Sequence, residues 1–206
     1  MSICLIAGGT IFSLIPGLDE GIDNNMSSIR NYRYTFDDYI QYLPHVSYYG
    51  LSLLGAEAKN NYLDRTIVFG TSGLLVGTTA LTLKHTVKRP RPGSGANTSF
   101  PSGHTAMAFW GAELVRHEYS WQWGLAAYVT AGTVGFMRMY NNRHWFSDVM
   151  AGAGIGILGA NIGYILLPAQ RRFLEKINGE DTAKDMAIIP YFDGNNAGLY
   201  FTMGVF

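Results

Sequence analysis

Three groups of residues near the middle of the chain carry the side-chain types needed to move a phosphoryl group without a metal. Lys84 is followed seven positions on by Arg91-Pro92, then comes Pro101-Ser102-Gly103-His104, then Arg138 with His144 six positions later and Asp148 four after that. His144 and Asp148 at this spacing share one face of a helix and can touch. A carboxylate on one ring nitrogen fixes the tautomer and leaves the other nitrogen free to attack phosphorus. Lys84, Arg91 and Arg138 can hold nonbridging oxygens, the arginines in bidentate fashion. Backbone N–H groups at Ser102-Gly103, opening a helix, make an anion-binding nest. A protonated His104 can hand a proton to the leaving oxygen.

Each residue also has a plainer use. His and Asp four apart serve as a surface pair or a helix cap, and Ser102 after Pro101 is an ordinary helix start. Lys84, Lys88, Arg89 and Arg91 make a solvated loop or a membrane-flanking cluster, and Arg138 and Arg143 fit a surface. All these uses must hold together to dismiss the site. His45, His85 and His117 have no partner at a telling spacing and read as structural. Lys88, Arg89 and Arg143 read as supporting charges around the site.

The elements that must position these groups are helices. Ile67–Leu83, Tyr119–Met137 and Val149–Gln170 contain no charged residue, and each approaches the roughly 20 residues that cross a bilayer. Ser102–Val115 reads as a further helix, interrupted in its apolar character by Glu113. Lys84 ends the first apolar helix and Ser102 opens the next, after a loop that Pro90, Pro92 and Pro101 keep non-helical. Arg138 ends the third and His144 opens the fourth. In an up-down bundle with short connections those four ends fall on one face. Gly152, Gly154, Gly156, Gly159 and Gly163 let helices pack closely, in a membrane or in a tight soluble bundle.

Composition narrows the class. The chain has 206 residues and formal net charge zero, which argues against a nucleic-acid partner. Its single cysteine, Cys4, excludes an internal disulfide framework and any multi-cysteine zinc site. Only 15% of residues are charged, against about a quarter in ordinary soluble domains. Mean hydropathy is nevertheless only +0.06, so composition leaves the membrane question open.

The first sixty residues carry no chemistry by this reading. Met1–Gly17 is apolar without the basic start of a secretory signal, and fits a short hydrophobic helix or the remnant of a trimmed precursor. Asp19–Tyr34 reads as a loop, and Asp37–Leu43 as a short amphipathic helix ended by Pro44. The tail suggests a β-hairpin, with Ile188–Phe192 and Leu199–Phe206 as strands and Asp193-Gly194-Asn195-Asn196 as the turn. The expected architecture is an all-α bundle of about five to six helices with the active site at one end. It divides into an N-terminal accessory segment (1–60), a catalytic core (61–172) and a tail (173–206).

From about Ile67 to Leu167 the ordered motifs resemble those of the type 2 phosphatidic acid phosphatase superfamily, whose members share a helical-bundle core with vanadium-dependent haloperoxidases. The resemblance implies a phosphohistidine at His144, oriented by Asp148, with His104 protonating the leaving group. It implies a phosphate site made of Lys84, Arg91, the Ser102-Gly103 region and Arg138, and it implies no metal and no cofactor. Members often carry serine just before the third-motif arginine, where this chain has Met137, so one phosphate-bonding hydroxyl is missing.

The leading expectation is a phosphatase that removes phosphate from a lipid-linked monoester or diphosphate at a membrane. Phosphatidic acid, phosphatidylglycerol phosphate, undecaprenyl diphosphate and lipid A phosphates are the candidate head groups. One alternative is a soluble exported acid phosphatase of broad specificity, located in the periplasm. A vanadate-dependent haloperoxidase and a phosphate-binding or structural membrane protein with a dead site are the others. For a spanning bundle, Lys59, Arg65, Arg116, Arg171, Arg172 and Lys176 put the opposite ends in the cytoplasm and the active site outside, in the periplasm of an inner-membrane protein.

Overall fold

Local chemistry sets the helix boundaries. Asn61 accepts the Asp64 N–H on its side chain at 2.8 Å and starts a helix over Tyr62–Val87. Lys88, at φ 49°, ends it in the left-handed conformation ahead of the proline-rich loop. Ser102 caps Gly103–Glu118, and Ser120 precedes Trp121–Tyr140. In chain order the helices are α1 (Ser2–Leu14), α2 (Leu18–Ser27), α3 (Asp37–Ile40), α4 (Leu43–Leu53), α5 (Tyr62–Val87), α6 (Gly103–Glu118), α7 (Trp121–Tyr140) and α8 (Phe146–Asn178). The protein is described by a computed structural model covering residues 2–15, 17–178, 186–192 and 197–203.

α8 is the axis of the bundle, and glycine is why. Its backbone lies directly against α6: a Cβ on Gly156 would sit 2.3 Å from the Ala106 carbonyl oxygen, and one on Gly152 2.5 Å from that of Ser102. Further faces of α8 press Gly159 and Gly163 against α5, and Gly154 against α1. No larger residue fits at these crossings. α6 is the most enclosed helix, with Ala106, Ala108, Ala112, Leu114 and Val115 in the core. Trp110 fills the space beside Gly73 of α5 and donates its indole N–H to Ser72 at 2.8 Å.

Among the described residues, α5 and α8 are long and apolar enough to cross a membrane, with mean hydropathy of 1.5 and 1.7. α1 and α2 would supply a third crossing if taken together, although they bend by 89° between them. Leu74 and Leu81 of α5, Val129 of α7 and Ile165 of α8 are exposed, as lipid-facing residues would be.

Two expectations for the N-terminal region are corrected. Residues 19–34 were expected as a loop, but most form α2. Asp19 and Glu20 in its first turn suit the positive end of the helix dipole, and Asp19 is buried against α8 rather than solvated. Pro44 was expected to end a helix. Instead α3 is a single turn and Pro44 lies in the first turn of α4, where a missing N–H costs nothing. The expected five to six helices become eight among the described residues, because the first sixty residues contain four.

The apolar helices fall where the sequence places them, and the tail forms the expected hairpin. β1 (Met186–Phe192) pairs antiparallel with β2 (Ala197–Met203), Met186 opposite Met203 and Phe192 opposite Ala197. The expected turn, residues 193–196, and the last expected strand residues, 204–206, lie outside the described residues.

At the end of the bundle away from the motifs, Arg65 is buried rather than membrane-flanking. The rings of Tyr48, Tyr49, Tyr62 and Tyr119 surround its guanidinium at 4.7–5.5 Å. Its Nη1 and Nη2 donate to Ser52 Oγ at 2.7 Å and to the Tyr119 hydroxyl at 2.8 Å. Arg171 pairs with Asp64 and Arg116 with Glu113 at the same end.

Candidate active site

Each motif arrives at one end of the bundle on a different helix terminus: Lys84 on the last turn of α5, His104 on the first of α6, Arg138 on the last of α7 and Asp148 on the first of α8. His144 lies in the turn before α8. The backbone ties these ends together, since the Ser102 N–H donates to the Asp148 carbonyl at 3.0 Å.

His144 is 3% exposed. Its Nδ1 lies 2.7 Å from the carbonyl oxygen of Ser99. A carbonyl only accepts, so Nδ1 carries the proton and Nε2 keeps its lone pair. The expectation that Asp148 itself holds the ring is modified, because its Oδ2 is 3.8 Å from Nδ1, beyond a hydrogen bond. Asp148 acts instead through Ser99, whose hydroxyl donates to Oδ2 while its carbonyl receives His144. The Trp145 N–H donates to the same oxygen and Arg89 Nη1 to Oδ1, each at 2.9 Å.

Burial pushes the His144 imidazole down to about 4. Asp148 opposes that shift, and the positive charges of Lys84 and Arg91 beside it add to it. The ring is therefore neutral near pH 7, with the Nε2 lone pair free. In a 15N NMR titration of detergent-solubilised protein, His144 should stay neutral until about pH 4. Protonation near 6.5, as in a free imidazole, would contradict this.

Cations gather beside this ring with unused donors, Lys84 and Arg91 near it and Arg138 near them. Lys84 Nζ gives two hydrogens to the Thr98 and Pro101 carbonyls, at 3.0 and 2.7 Å, and retains its third. Arg91 binds Thr98 Oγ1 through Nε at 3.2 Å, and among the described residues its Nη groups make no bond. Burial and the neighbouring Arg138 and Arg143 charges push Arg91 below its usual value. Arg138 is buried. Its Nη1 donates to Asp37 Oδ2 at 2.8 Å and to Asp38 Oδ1 at 2.9 Å, while its buried Nε has no partner among the described residues.

Ser102 takes the capping role. Its Oγ bonds Thr105 and its N–H is occupied by Asp148, so it is enclosed and offers nothing to a ligand. The helix-start donors left for an anion are the N–H groups of Gly103 and His104. The hydroxyl position absent at Met137 is buried apolar surface.

Several participants escaped the sequence reading. Asp19 of α2 accepts from Ser147 N–H and Oγ, at 3.0 and 2.6 Å, and from Arg89 Nη2 at 2.7 Å. It thereby aims Arg89 at Asp148. Asp37 and Asp38 reach Arg138 from α3, and Asp38 also reaches His104. The one available signal was a pair of adjacent carboxylates in a chain poor in charge. Among the described residues no group of three or more His, Cys, Asp or Glu side chains is placed to hold a metal ion.

A groove of about 510 Å³ runs along α5 and α6 to this end. Val76, Ala80, Met107 and Trp110 line its apolar length, and Lys84, His104 and Asp38 stand at its polar end.

The profile of the PAP2 superfamily matches residues 65–172, which holds all three motifs. The chain belongs to that superfamily. A PAP2 relative, the lipid A 1-phosphatase of Porphyromonas gingivalis, is 33% identical over 157 residues. The match takes in 71% of this chain and 35% of that protein, so the chain spans about a third of its curated relative's length. The crystal structure of LpxE from Aquifex aeolicus superposes with a TM-score of 0.54 at 25% identity, over 69% of this chain and 93% of that one. A transmembrane PAP2-type phosphatidylglycerolphosphate phosphatase from Bacillus subtilis shares the fold, with a TM-score of 0.52 at 19% identity, over 87% of this chain and 98% of that one.

Proposed function

We propose that this chain is a metal-independent phosphatase that removes phosphate from a lipid-linked monoester or diphosphate through a phosphohistidine on His144. The observation that carries the reading is the neutral, buried imidazole whose Nδ1–H is committed to Ser99, facing three cations with donors to spare.

In the first step the Nε2 lone pair forms the N–P bond as the bond from phosphorus to the leaving oxygen breaks. His104 supplies the proton that the departing alkoxide needs. Lys84, Arg91, Arg138 and the Gly103 and His104 N–H groups hold the nonbridging oxygens, where negative charge gathers. The positive charge created on the His144 ring is balanced by Asp148, 3.8 Å away. In the second step His104, now neutral, takes a proton from water as that water attacks phosphorus, releasing inorganic phosphate and restoring both histidines.

Two features favour a lipid over a soluble ester. α5 and α8 have the length and apolarity of membrane spans. The groove gives an acyl chain an apolar path ending at Lys84 and His104. Among lipids, the relative named lipid A 1-phosphatase favours a glycosyl phosphate of the lipid A class. Lys59, Arg171, Arg172 and Lys176, exposed at the opposite end, support a cytoplasmic location for that end and an exterior one for the active site.

The test is phosphate release by purified protein in excess EDTA, on a detergent-dispersed lipid phosphate panel and on a soluble aryl phosphate. Lipid turnover that persists in EDTA is the expected result. Hydrolysis of the soluble ester alone would overturn the lipid assignment and point to the exported acid phosphatase. No EDTA-resistant release from any ester would overturn the phosphatase.

A further inference from the structure

The phosphatase reading leaves α3 unused, yet α3 touches the general acid. Asp38 Oδ1 lies 2.9 Å from His104 Nε2, and the same oxygen accepts from Arg138 Nη1 at 2.9 Å. The adjoining Asp37 is almost fully buried. It anchors the turn by accepting from Arg138 Nη1 at 2.8 Å and from Asn141 Nδ2 at 3.1 Å. Asn141 in turn donates to the Tyr34 carbonyl at 2.7 Å, just ahead of α3. One helical turn is thus fastened to the end of α7 and presents one carboxylate to His104.

We propose that Asp38 is the positioning residue of the leaving-group acid. It holds His104 by Nε2, turns Nδ1–H toward the leaving oxygen, and keeps the ring protonated until that proton is needed. His104 Nδ1 makes no hydrogen bond among the described residues, so it is the nitrogen with a proton to give. The chain then contains two carboxylate–histidine systems of opposite purpose. Asp148, through Ser99, serves a ring that must be neutral, and Asp38 serves a ring that must be charged.

The charges facing His104 are Asp37 and Asp38 from α3, Arg138 from α7, and Lys84 of α5, whose side chain passes beside Gly103. Burial pushes His104 below its usual value and Arg138 adds to that, while Asp38, by charge and hydrogen bond, opposes both. Removing the Asp38 charge must therefore let His104 lose its proton at lower pH.

This inference rests on the phosphatase reading, so the experiment separates the two. Wild type and Asp38→Asn, which keeps the side chain's size, are assayed in EDTA on an aryl phosphate and on an alkyl or lipid phosphate. A phenolate departs without help, whereas an alkoxide needs a proton. The variant should lose about 100-fold or more in kcat on the alkyl ester and less than about tenfold on the aryl ester. The alkaline limb of its kcat profile on the alkyl ester should move to lower pH. Both esters are read on one preparation, so loss of folded protein divides out of the ratio. Equal losses on the two esters, or an unmoved alkaline limb, would overturn the proposal. So would a gain on both, the mark of a carboxylate that merely competes with substrate phosphate. A wild type inert on both esters would instead overturn the phosphatase.

Discussion

Replacing His144 with alanine should lower kcat by about a million-fold on every phosphate ester the protein hydrolyses, the scale of loss when a covalent nucleophile is removed. No neighbouring group can substitute. His104 is held by Asp38 on α3, the carboxylates of Asp38 and Asp148 are themselves engaged by Arg138 and Arg89, and the remaining side chains of the phosphate site are cations that bind its oxygens. Folding should survive, because among the described residues the ring makes one hydrogen bond, to the Ser99 carbonyl. A rapid-quench experiment with radiolabelled phosphate should trap an acid-labile, alkali-stable phosphoprotein in wild type and none in the variant. A variant within tenfold of wild type would remove His144 from the nucleophile's role.

Asp148→Asn should cost about 10³- to 10⁴-fold in kcat, comparable to loss of the orienting carboxylate in other hydrolases that act through histidine. Every group around Asp148 donates: Arg89 Nη1 to one oxygen, Ser99 Oγ and the Trp145 N–H to the other. An amide must turn its NH2 toward one of these sets, placing donor against donor in a buried site. Whichever way it turns, negative charge is lost beside an imidazole that the proposed mechanism makes positive on phosphorylation. If Ser99 is displaced, His144 also loses the carbonyl that fixes its tautomer. The effect should fall on kcat, with KM changed far less, since Lys84, Arg91 and Arg138 do not bond Asp148. A loss smaller than tenfold would show that the carboxylate does not act on His144.

The parts of the site that were legible in the sequence are those whose chemistry restricts both residue type and position along one helix or loop. His144 and Asp148 four apart, Ser102 at a helix start and Lys84 at a helix end are local patterns, and helix order was enough to gather them. What could not be read depends on contacts between distant segments. His104 and Asp38 are 66 positions apart, and Asp19 and Ser147 are 128 apart. Polar residues of α2 resemble a loop in sequence because the partners that bury Asp19 lie on α8 and in the loop before α6. The link from Asp148 to His144 through Ser99 was hidden for another reason. It uses a backbone carbonyl, which every residue possesses. Arg65 misled in the opposite direction, as a charge beside an apolar helix that four tyrosines hold inside the protein.

The glycine face of α8 has a consequence for how such sequences can vary. Asp148, Gly152 and Gly156 recur every four positions, so the carboxylate and the two points where α8 meets α6 lie along one side of the helix. The relative placement of His104 and Asp148 is set by that seam and by the Ser102–Asp148 backbone bond, not by the length of chain joining them. A side chain at Gly152 or Gly156 would move them at once. In this chain those two glycines are tied to Asp148 by spacing, in a stretch that otherwise reads only as apolar helix.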